Sequence, residues 1–193
     1  MNLIHRWICR SARWRKKLEE QVLPWVLSDV ELGPDVLEVG PGPGLTTDLL
    51  RPRVERLTTI EIDRRLAESL AARLRGSPVK VIRGDATALP FGSARFTGAV
   101  SFTMLHHVPS SALQDRLLQE VRRVLQPGGV FAGADSLQRL SMRLFHIHDT
   151  LVPVDPRTFG ARLEAAGFTG ISIETNATAF RFRARCPKNH FGS

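Results

Sequence analysis

The sequence of 193 residues contains only two cysteines, Cys9 and Cys186, which lie far apart along the chain. Such a pair gives neither a disulfide framework nor the ligand spacing of a zinc site, so we expect no metal centre and a reducing, cytoplasmic compartment. Long apolar runs are also missing, and no stretch approaches the roughly 20 residues that span a membrane. The N-terminal residues scatter cations without forming an unbroken apolar run, which argues against a signal peptide.

Acidic residues are too few to balance the cations. The chain has 27 lysines and arginines against 19 aspartates and glutamates, which leaves a net charge of +8. This excess indicates an acidic partner, either a nucleic acid or an anionic membrane surface. The alternative is a chain that simply prefers arginine, because the cations are spread out, with modest clusters at residues 6–17 and 181–188. Charge alone leaves the choice open.

Short β-branched runs alternate with longer amphipathic ones, which predicts a parallel sheet with helices on both faces. The last two strand-like runs are too close for a helical crossover, so they must pair antiparallel. We therefore predict an α/β fold with a doubly wound, mostly parallel seven-stranded sheet and an antiparallel C-terminal strand. Residues 1–28, which include a basic amphipathic helix over 5–27, are predicted to cap a main domain at 29–187. The central predicted strands are 35–39, 57–62, 79–84, 96–102 and 130–136, and the predicted helices are 64–75, 111–125, 137–150 and 156–167.

The stretch VLEVGPGPGLTTDLL, residues 36–50, ends a predicted strand at three glycines and begins a helix. Glycine permits positive φ and lets a ligand approach the backbone, and ligands bind at such strand ends in a doubly wound sheet. The dinucleotide fingerprint is G-x-G-x-x-G, whereas the spacing here is G-x-G-x-G. A carboxylate at Glu38 would also repel pyrophosphate. The pattern therefore favours a nucleoside with a cationic group and disfavours a nicotinamide-dependent oxidoreductase.

This turn resembles the first motif of the class I S-adenosylmethionine-dependent methyltransferases. Further resemblance lies in TIEID, VIRGDATALPF, FTGAVSFTMLHHV and RVLQPGG, so that about residues 30–175 are covered. The resemblance implies a Rossmann-like fold and S-adenosyl-L-methionine as the cofactor. The residues that match the first motif are Glu38, Gly40, Pro41, Gly42 and Gly44.

The resemblance also assigns cofactor contacts to residues outside the glycine turn. It implies that Glu61 accepts both ribose hydroxyls, and a carboxylate suits a vicinal diol because one planar group accepts from two donors. It places Asp85 and the backbone of Ala86 at the adenine, and Ser101 at the amino-acid end of the cofactor. Glu38 is expected to order the turn and to oppose the ligand's positive charges.

The reaction implied by the resemblance is in-line displacement at the cofactor's methyl group. The protein then mainly aligns the acceptor and excludes water. A general base is needed only if the acceptor atom carries a proton, and His106 and His107 are the candidate catalytic residues. The alternative is that one histidine packs the loop while the other is solvated.

The methyl acceptor stays open between a small molecule and RNA. EVGPGPGLTTDLL and TIEIDRRLAE are similar to stretches of ribosomal-RNA adenine dimethylases. Those enzymes carry an Asn/Asp-x-Pro-aromatic motif after the fourth strand, where this chain has SFTMLHHV. LHHV followed by RVLQPGG is instead similar to the type 11-like enzymes that methylate small molecules, so we predict a small, apolar acceptor. The alternatives are an RNA methyltransferase and a non-catalytic module that binds the cofactor.

Two segments are candidates for the acceptor site, namely the N-terminal helix over 5–27 and the segment 136–153. The second places apolar residues near helical spacing, which indicates either core packing or a lid over an apolar substrate. The first is also a candidate for peripheral contact with an anionic membrane, since it combines tryptophans with cations. The apolar positions of the second segment are Leu137, Leu140, Leu144 and Ile147.

Overall fold

A computed structural model describes residues 11–137 and 150–188. Its strands are β1 Asp35–Val39, β2 Arg56–Glu61, β3 Lys80–Arg83, β4 Phe96–Phe102, β5 Leu125–Ser136, β6 Thr169–Thr175 and β7 Ala179–Arg185. They form one seven-stranded sheet in the order β3-β2-β1-β4-β5-β7-β6. Strands β1 to β5 pair in parallel, whereas β7 pairs antiparallel with both β5 and β6. The predicted fold class and the antiparallel C-terminal pairing are confirmed.

Helices pack on both faces of the sheet. The helices are α1 Ala12–Lys17, α2 Leu23–Leu27, α3 Leu45–Leu50, α4 Arg64–Arg73, α5 Ser111–Val124 and α6 Pro156–Ala165. One buried apolar cluster joins α5 and α6 to one face, and a second joins the first four helices to the other. Every helix in the described part of the chain is too short or too polar to cross a bilayer. Most of the predicted helix at 137–150 lies outside the described residues.

The N-terminal segment, in its described part, is packed against the sheet. Leu18, Leu23 and Val26 are almost completely buried in the second apolar cluster. Between α1 and α2 the chain makes a π-helical turn, in which the Leu23 N–H donates to the Leu18 carbonyl. Pro24 follows this turn, and a proline ring crowds the carbonyl four residues before it, which a wider turn relieves.

Strand β1 is an interior strand of the sheet, and all five of its residues are buried. It pairs with β2 on one side and with β4 on the other. The chain therefore leaves β1 in one direction, returns through β3, and crosses over to β4. Connections on opposite sides of β1 leave a crevice at its carboxyl end, which is where doubly wound sheets bind ligands.

Strand β5 begins earlier than the sequence indicates. The expected break at Pro127 and its two following glycines is an extended stretch instead, and β5 starts at Leu125. Phe96 pairs with Leu125, but Gly98 pairs with Val130, so the extra residues form a bulge against β4. A bulge absorbs a proline without a broken strand because its residues make no regular ladder bonds.

Candidate functional site

A cavity of about 340 Å³ opens at the carboxyl ends of the parallel strands. Its walls come from the loops after β1 to β4, from the N-terminal segment and from the start of α5. The predicted site residues that line it are Gly40, Pro41, Gly42, Glu61, Asp85, Ala86 and His107. The predicted site residues that lie outside its lining are Glu38, Gly44, Ser101 and His106.

The glycines of the turn meet two different demands. Gly44 has φ +87° and begins α3, and a Cβ there would lie 2.3 Å from Leu70 Cδ1. Gly42 has φ +55°, lines the cavity and has open space within 4 Å of the position a Cβ would take. Gly44 therefore permits close packing of α3 on α4, whereas Gly42 leaves room for a ligand against the backbone.

Glu61 joins the glycine turn to the end of β2. Its two carboxylate oxygens accept hydrogen bonds from the backbone N–H groups of Gly42 at 3.0 Å and Asp63 at 2.9 Å. Burial raises the pKa of Glu61, and these backbone bonds oppose the rise. Each oxygen has a further lone pair, so the carboxylate lining the cavity can still accept from a ligand.

Glu38 lies behind the turn and not in the cavity wall. Its carboxyl group is buried and accepts hydrogen bonds from the hydroxyls of Thr46 and Thr47, the latter at 2.6 Å. Burial raises the pKa of Glu38 to about 7, against the two threonine bonds that lower it. The side chain therefore ties the end of β1 to the first turn of α3.

The acidic residues after β2 and β3 act partly on their own loops. Asp63 caps α4, because its carboxylate accepts from the backbone N–H groups of Arg65 and Leu66. Asp85 accepts from the backbone N–H of Thr87 at 2.8 Å and remains exposed at the cavity. The Asp85 carboxylate has unused acceptor capacity toward a ligand.

Ser101 is buried in β4, beneath the cavity. Its hydroxyl has no hydrogen-bond partner among the described residues, and the same holds for the hydroxyl of Thr59 on β2. Both residues flank β1, since Ser101 pairs with Val39 and Thr59 pairs with Glu38.

The two adjacent histidines have different surroundings. His107 lines the cavity. His106 is buried, and its Nδ1 lies 2.5 Å from an oxygen of the completely buried Asp135, at the end of β5. The His106 backbone N–H donates to the other Asp135 oxygen at 3.1 Å, and the two imidazole centroids are 4.2 Å apart. Asp135 therefore holds the turn that presents His107 to the cavity.

The rest of the cavity wall is largely apolar. Met104 lies against the glycine turn, so close that a Cβ on Gly40 would be 2.1 Å from Met104 Cγ. The preceding Thr103 has φ +50°, an uncommon conformation for a β-branched residue. The apolar side chains of this wall are Trp14, Leu18, Phe102, Met104, Val108, Leu113 and Leu117.

Comparison with known proteins assigns the chain to a family. The model of the methyltransferase domain family matches residues 37–133, which is half of the chain. The chain belongs to the methyltransferase domain family. It is similar in structure to a methyltransferase solved with the Haloferax volcanii Trm112 methyltransferase activator, with a TM-score of 0.74 at 16% identity over 97% of this chain and 99% of that one. At that identity the likeness concerns the fold alone.

Curated relatives of this methyltransferase include enzymes that act on ribosomal RNA. It is 34% identical to an rRNA adenine N-6-methyltransferase of Saccharopolyspora erythraea over 56% of this chain and 30% of that protein. It is 29% identical to the ribosomal RNA small subunit methyltransferase A of Cupriavidus metallidurans over 74% of this chain and 57% of that protein. The chain thus spans less than two thirds of these relatives' length.

Several residues of the methyltransferase site escaped the sequence prediction. Asp135 was the easiest of them to predict from the sequence, because an acidic residue at the end of a parallel strand lies at the same edge of the sheet as the glycine turn. Thr46 and Thr47 gave no signal beyond their position after the glycines. Met104 looks like an ordinary apolar residue in the sequence, and only the packed chain places it at the cavity. Trp14 belongs to the segment 5–27 that the sequence offers as a candidate acceptor site, but the sequence does not single it out there.

We predict that Gly42→Ala weakens binding of S-adenosyl-L-methionine by about tenfold or more. The added methyl group would occupy the space proposed for the cofactor, and a steric clash of this size costs about 1–3 kcal/mol. Gly76→Ala is the matched control, since Gly76 also has positive φ and open space around a Cβ but lies away from the cavity. Both variants should lose about 1–2 kcal/mol of stability from backbone strain. Calorimetric titration and urea unfolding measure the two effects. Equal cofactor affinity in the two variants would contradict the placement of the ligand.

We predict that Glu38→Gln changes how stability depends on pH. A carboxyl group with a folded pKa of about 7 and an unfolded value of 4.5 binds more protons in the folded state. Its contribution to the free energy of unfolding is therefore fully present below pH 4.5 and is lost as the pH rises through about 7. The wild type should lose on the order of 3 kcal/mol relative to Glu38→Gln across this window.

Urea unfolding at several pH values checks the Glu38 prediction. Glu120→Gln is a control of opposite sign, because the hydrogen bond from Arg123 lowers the pKa of Glu120. The stability that Glu120 contributes is present above its ordinary pKa and is lost in acid. Parallel pH profiles of the wild type and Glu38→Gln would refute the assignment.

Proposed function

We propose that this methyltransferase transfers the methyl group of S-adenosyl-L-methionine to a small, apolar molecule. The observation that carries the proposal is the apolar part of the cavity wall, which adjoins the glycine turn at Met104. Met104, Val108 and Leu113 supply it after β4, while Trp14 and Leu18 supply it from the N-terminal segment. Pockets for small molecules combine such walls with a few polar groups that fix orientation.

The polar end of the cavity suits the cofactor. Gly42 offers backbone with no side chain in the way, and the Glu61 carboxylate beside it can accept from ribose hydroxyls. Asp85 and the backbone of Ala86 line the same end and suit the adenine. We propose these four residues as cofactor contacts. When bound, S-adenosyl-L-methionine supplies an electrophilic methyl group on its sulfur atom.

Two other predicted cofactor residues shape the glycine turn, and a third lies near the strand ends. Glu38 bonds to Thr46 and Thr47, and Gly44 packs on Leu70, so both fix the shape of the turn. The Ser101 hydroxyl, beneath the cavity floor, is the remaining candidate for a polar contact near the strand ends. We propose that Glu38 and Gly44 act on cofactor binding through the turn and not through direct contact.

His107 is the proposed general base for an acceptor atom that carries a proton. It lines the cavity beside the apolar wall, and an imidazole titrates in the physiological range. His106 is proposed as a positioning residue, because Asp135 bonds both its ring and its backbone N–H. An acceptor without an exchangeable proton needs no base, and the cavity then acts by alignment and by exclusion of water.

The N-terminal residues 1–28 are proposed to cap the cavity of the main domain, residues 29–187. Trp14 and Leu18 reach the lining of the cavity from α1 and the turn after it. Leu23 and Val26 anchor the segment in the core. A cap fixed at one end can shape the acceptor side while it leaves the glycine turn open.

RNA is the second candidate acceptor. The relatives that carry ribosomal RNA in their names and the net charge of +8 favour it. The apolar wall argues against it, because enzymes that modify a nucleobase hold it by stacking and by hydrogen bonds to its edge. Between Phe102 and Val108 the lining consists of Thr103, Met104 and His107, and the stretch lacks the Asn/Asp-x-Pro-aromatic motif of the ribosomal-RNA adenine dimethylases.

We predict that labelled methyl from S-adenosyl-L-methionine enters the organic-soluble fraction of a cell extract when the purified enzyme is added. The apolar wall is the physical reason, since it binds acceptors that partition out of water. Gly42→Ala, with its weakened cofactor site, should lower the incorporation, and Gly76→Ala should not. Label that stays in the aqueous phase and is released by ribonuclease would identify RNA as the acceptor and contradict the proposal.

We predict that His107→Ala lowers kcat by about 10²–10⁴-fold on the acceptor so identified, the usual contribution of general-base catalysis. Its unfolding free energy should fall by no more than about 1.5 kcal/mol, since the side chain is half-buried and its ring contacts that of His106. His106→Ala should instead lose about 1–3 kcal/mol of stability, because the ring contact with the buried Asp135 Oδ1 is lost while the backbone bond to Oδ2 remains. Steady-state kinetics and urea unfolding separate the two variants. An unchanged kcat in His107→Ala would remove the general base from the mechanism.

A further inference from the structure

The N-terminal segment is the most one-sided stretch of charge in the chain. Residues 1–18 contain six lysines and arginines and no acidic residue. In the described part, Arg13, Arg15 and Lys16 of α1 are exposed, whereas Trp14 is half-buried. The positive charge of this helix therefore faces away from the core. An exposed ion pair between Lys16 and Glu20 at 3.9 Å offsets little of it.

This basic surface adjoins the methyltransferase cavity. Trp14 lines the cavity and also lines a second, separate pocket, together with Arg13, Lys16 and Lys17. The Lys17 ammonium lies 5.5 Å from the centre of the Trp14 ring. Only the Trp14 side chain would therefore separate a ligand held by these cations from the apolar wall of the cavity.

The rim of the cavity carries the exposed large apolar side chains of the described residues, namely Ile62 and Leu113. Ile62 is 67% exposed and belongs to the polar end beside Glu61, whereas Leu113 is 37% exposed and belongs to the apolar wall. Both side chains line the cavity that Trp14 also lines. Here they stand on the same opening as the basic helix.

A surface of cations and aliphatic side chains matches a bilayer better than RNA. Proteins bind unpaired RNA bases by stacking them on aromatic rings that the surface presents. The chain has no tyrosine, and every tryptophan and phenylalanine of the described part is at least half-buried. Basic helices with a tryptophan beside an apolar surface bind anionic membranes, to which both the cations and the buried apolar area contribute.

We propose that the outer face of α1, with Arg13, Arg15 and Lys16, docks on an anionic lipid bilayer, and that the methyl acceptor enters the cavity from that bilayer past Trp14. The second part rests on the function proposed above, since it names the source of the apolar acceptor. The first part stands on the charge and position of the helix alone. Docking would bring the rim at Leu113 to the lipid surface and spare an apolar acceptor from crossing water.

Co-sedimentation with phosphatidylglycerol–phosphatidylcholine vesicles, without cofactor or acceptor, tests the docking. The wild type should bind these vesicles, bind vesicles of phosphatidylcholine alone far more weakly, and lose binding as salt rises. The double variant Arg13→Gln, Lys16→Gln should bind roughly 30-fold more weakly, from the contribution of two surface cations. Its control is Arg51→Gln, Arg53→Gln, which removes equal charge from exposed arginines after α3, at the amino end of the strands.

Each outcome of the vesicle experiment decides the proposal. A loss confined to the α1 variant supports docking by this face, provided that both variants unfold at the wild-type urea concentration. An equal loss in both variants would assign the binding to net charge, and no binding by the wild type would overturn docking. Tighter binding to a mixed-sequence RNA hairpin than to vesicles, lost in the α1 variant, would assign the face to RNA. Because no methyl transfer is measured, a failure here leaves the proposed reaction to its own test.

Discussion

The buried Glu38 carboxyl group is the constraint on which the rest of the site depends. It stands at the end of β1 and holds the hydroxyls of Thr46 and Thr47 in the first turn of α3. That clamp fixes the path of the glycine turn between them, and with it the backbone N–H of Gly42 that reaches Glu61. Burial of a carboxyl group costs free energy unless the group is hydrogen-bonded, so the bonds from Thr46 and Thr47 are needed to keep Glu38 buried. The glycine turn is thus held on the side away from the cavity, while Gly42 lines the cavity on the other side.

The two ends of the cavity differ in chemistry because they are built from elements on opposite sides of β1. The carboxyl ends of β1, β2 and β3 bring together the glycine turn, Glu61 and Asp85, which are polar. The end of β4, α5 and the N-terminal segment bring together Met104, Leu113 and Trp14, which are apolar. Under the proposed function, a cofactor at the polar end would present its methyl group to an acceptor at the apolar end. The topology of the sheet would then separate cofactor recognition from acceptor recognition.

The charge of the chain acquires a meaning only in relation to this cavity. Arginines that are spread along a sequence indicate no particular partner, and several of them form structural ion pairs. Arg56, for example, makes a two-pronged bond with Asp35 at 2.7 Å at the opposite end of β1, and this lowers the pKa of that aspartate. Arg13, Arg15 and Lys16 of α1 differ because they are exposed and belong to the same helix as Trp14, which lines the cavity.

The sequence by itself determined the class of the fold and the polar half of the site. Strand and helix periods are local, so alternation predicted a parallel sheet, and the close terminal runs predicted antiparallel pairing. The glycine spacing and the acidic residues after successive strands share one edge of any such sheet, so Gly42, Glu61 and Asp85 were predictable as neighbours.

Only the tertiary structure decided which way the remaining side chains face. Adjacent histidines look alike in a sequence, and the separation of His106 from His107 depends on Asp135, 29 residues away along the chain. The burial of Glu38 depends on how closely α3 packs on β1. The position of Trp14 depends on how α1, the wide turn that follows it and α2 pack against the sheet. These outcomes follow from packing between elements distant in sequence, which no local period encodes.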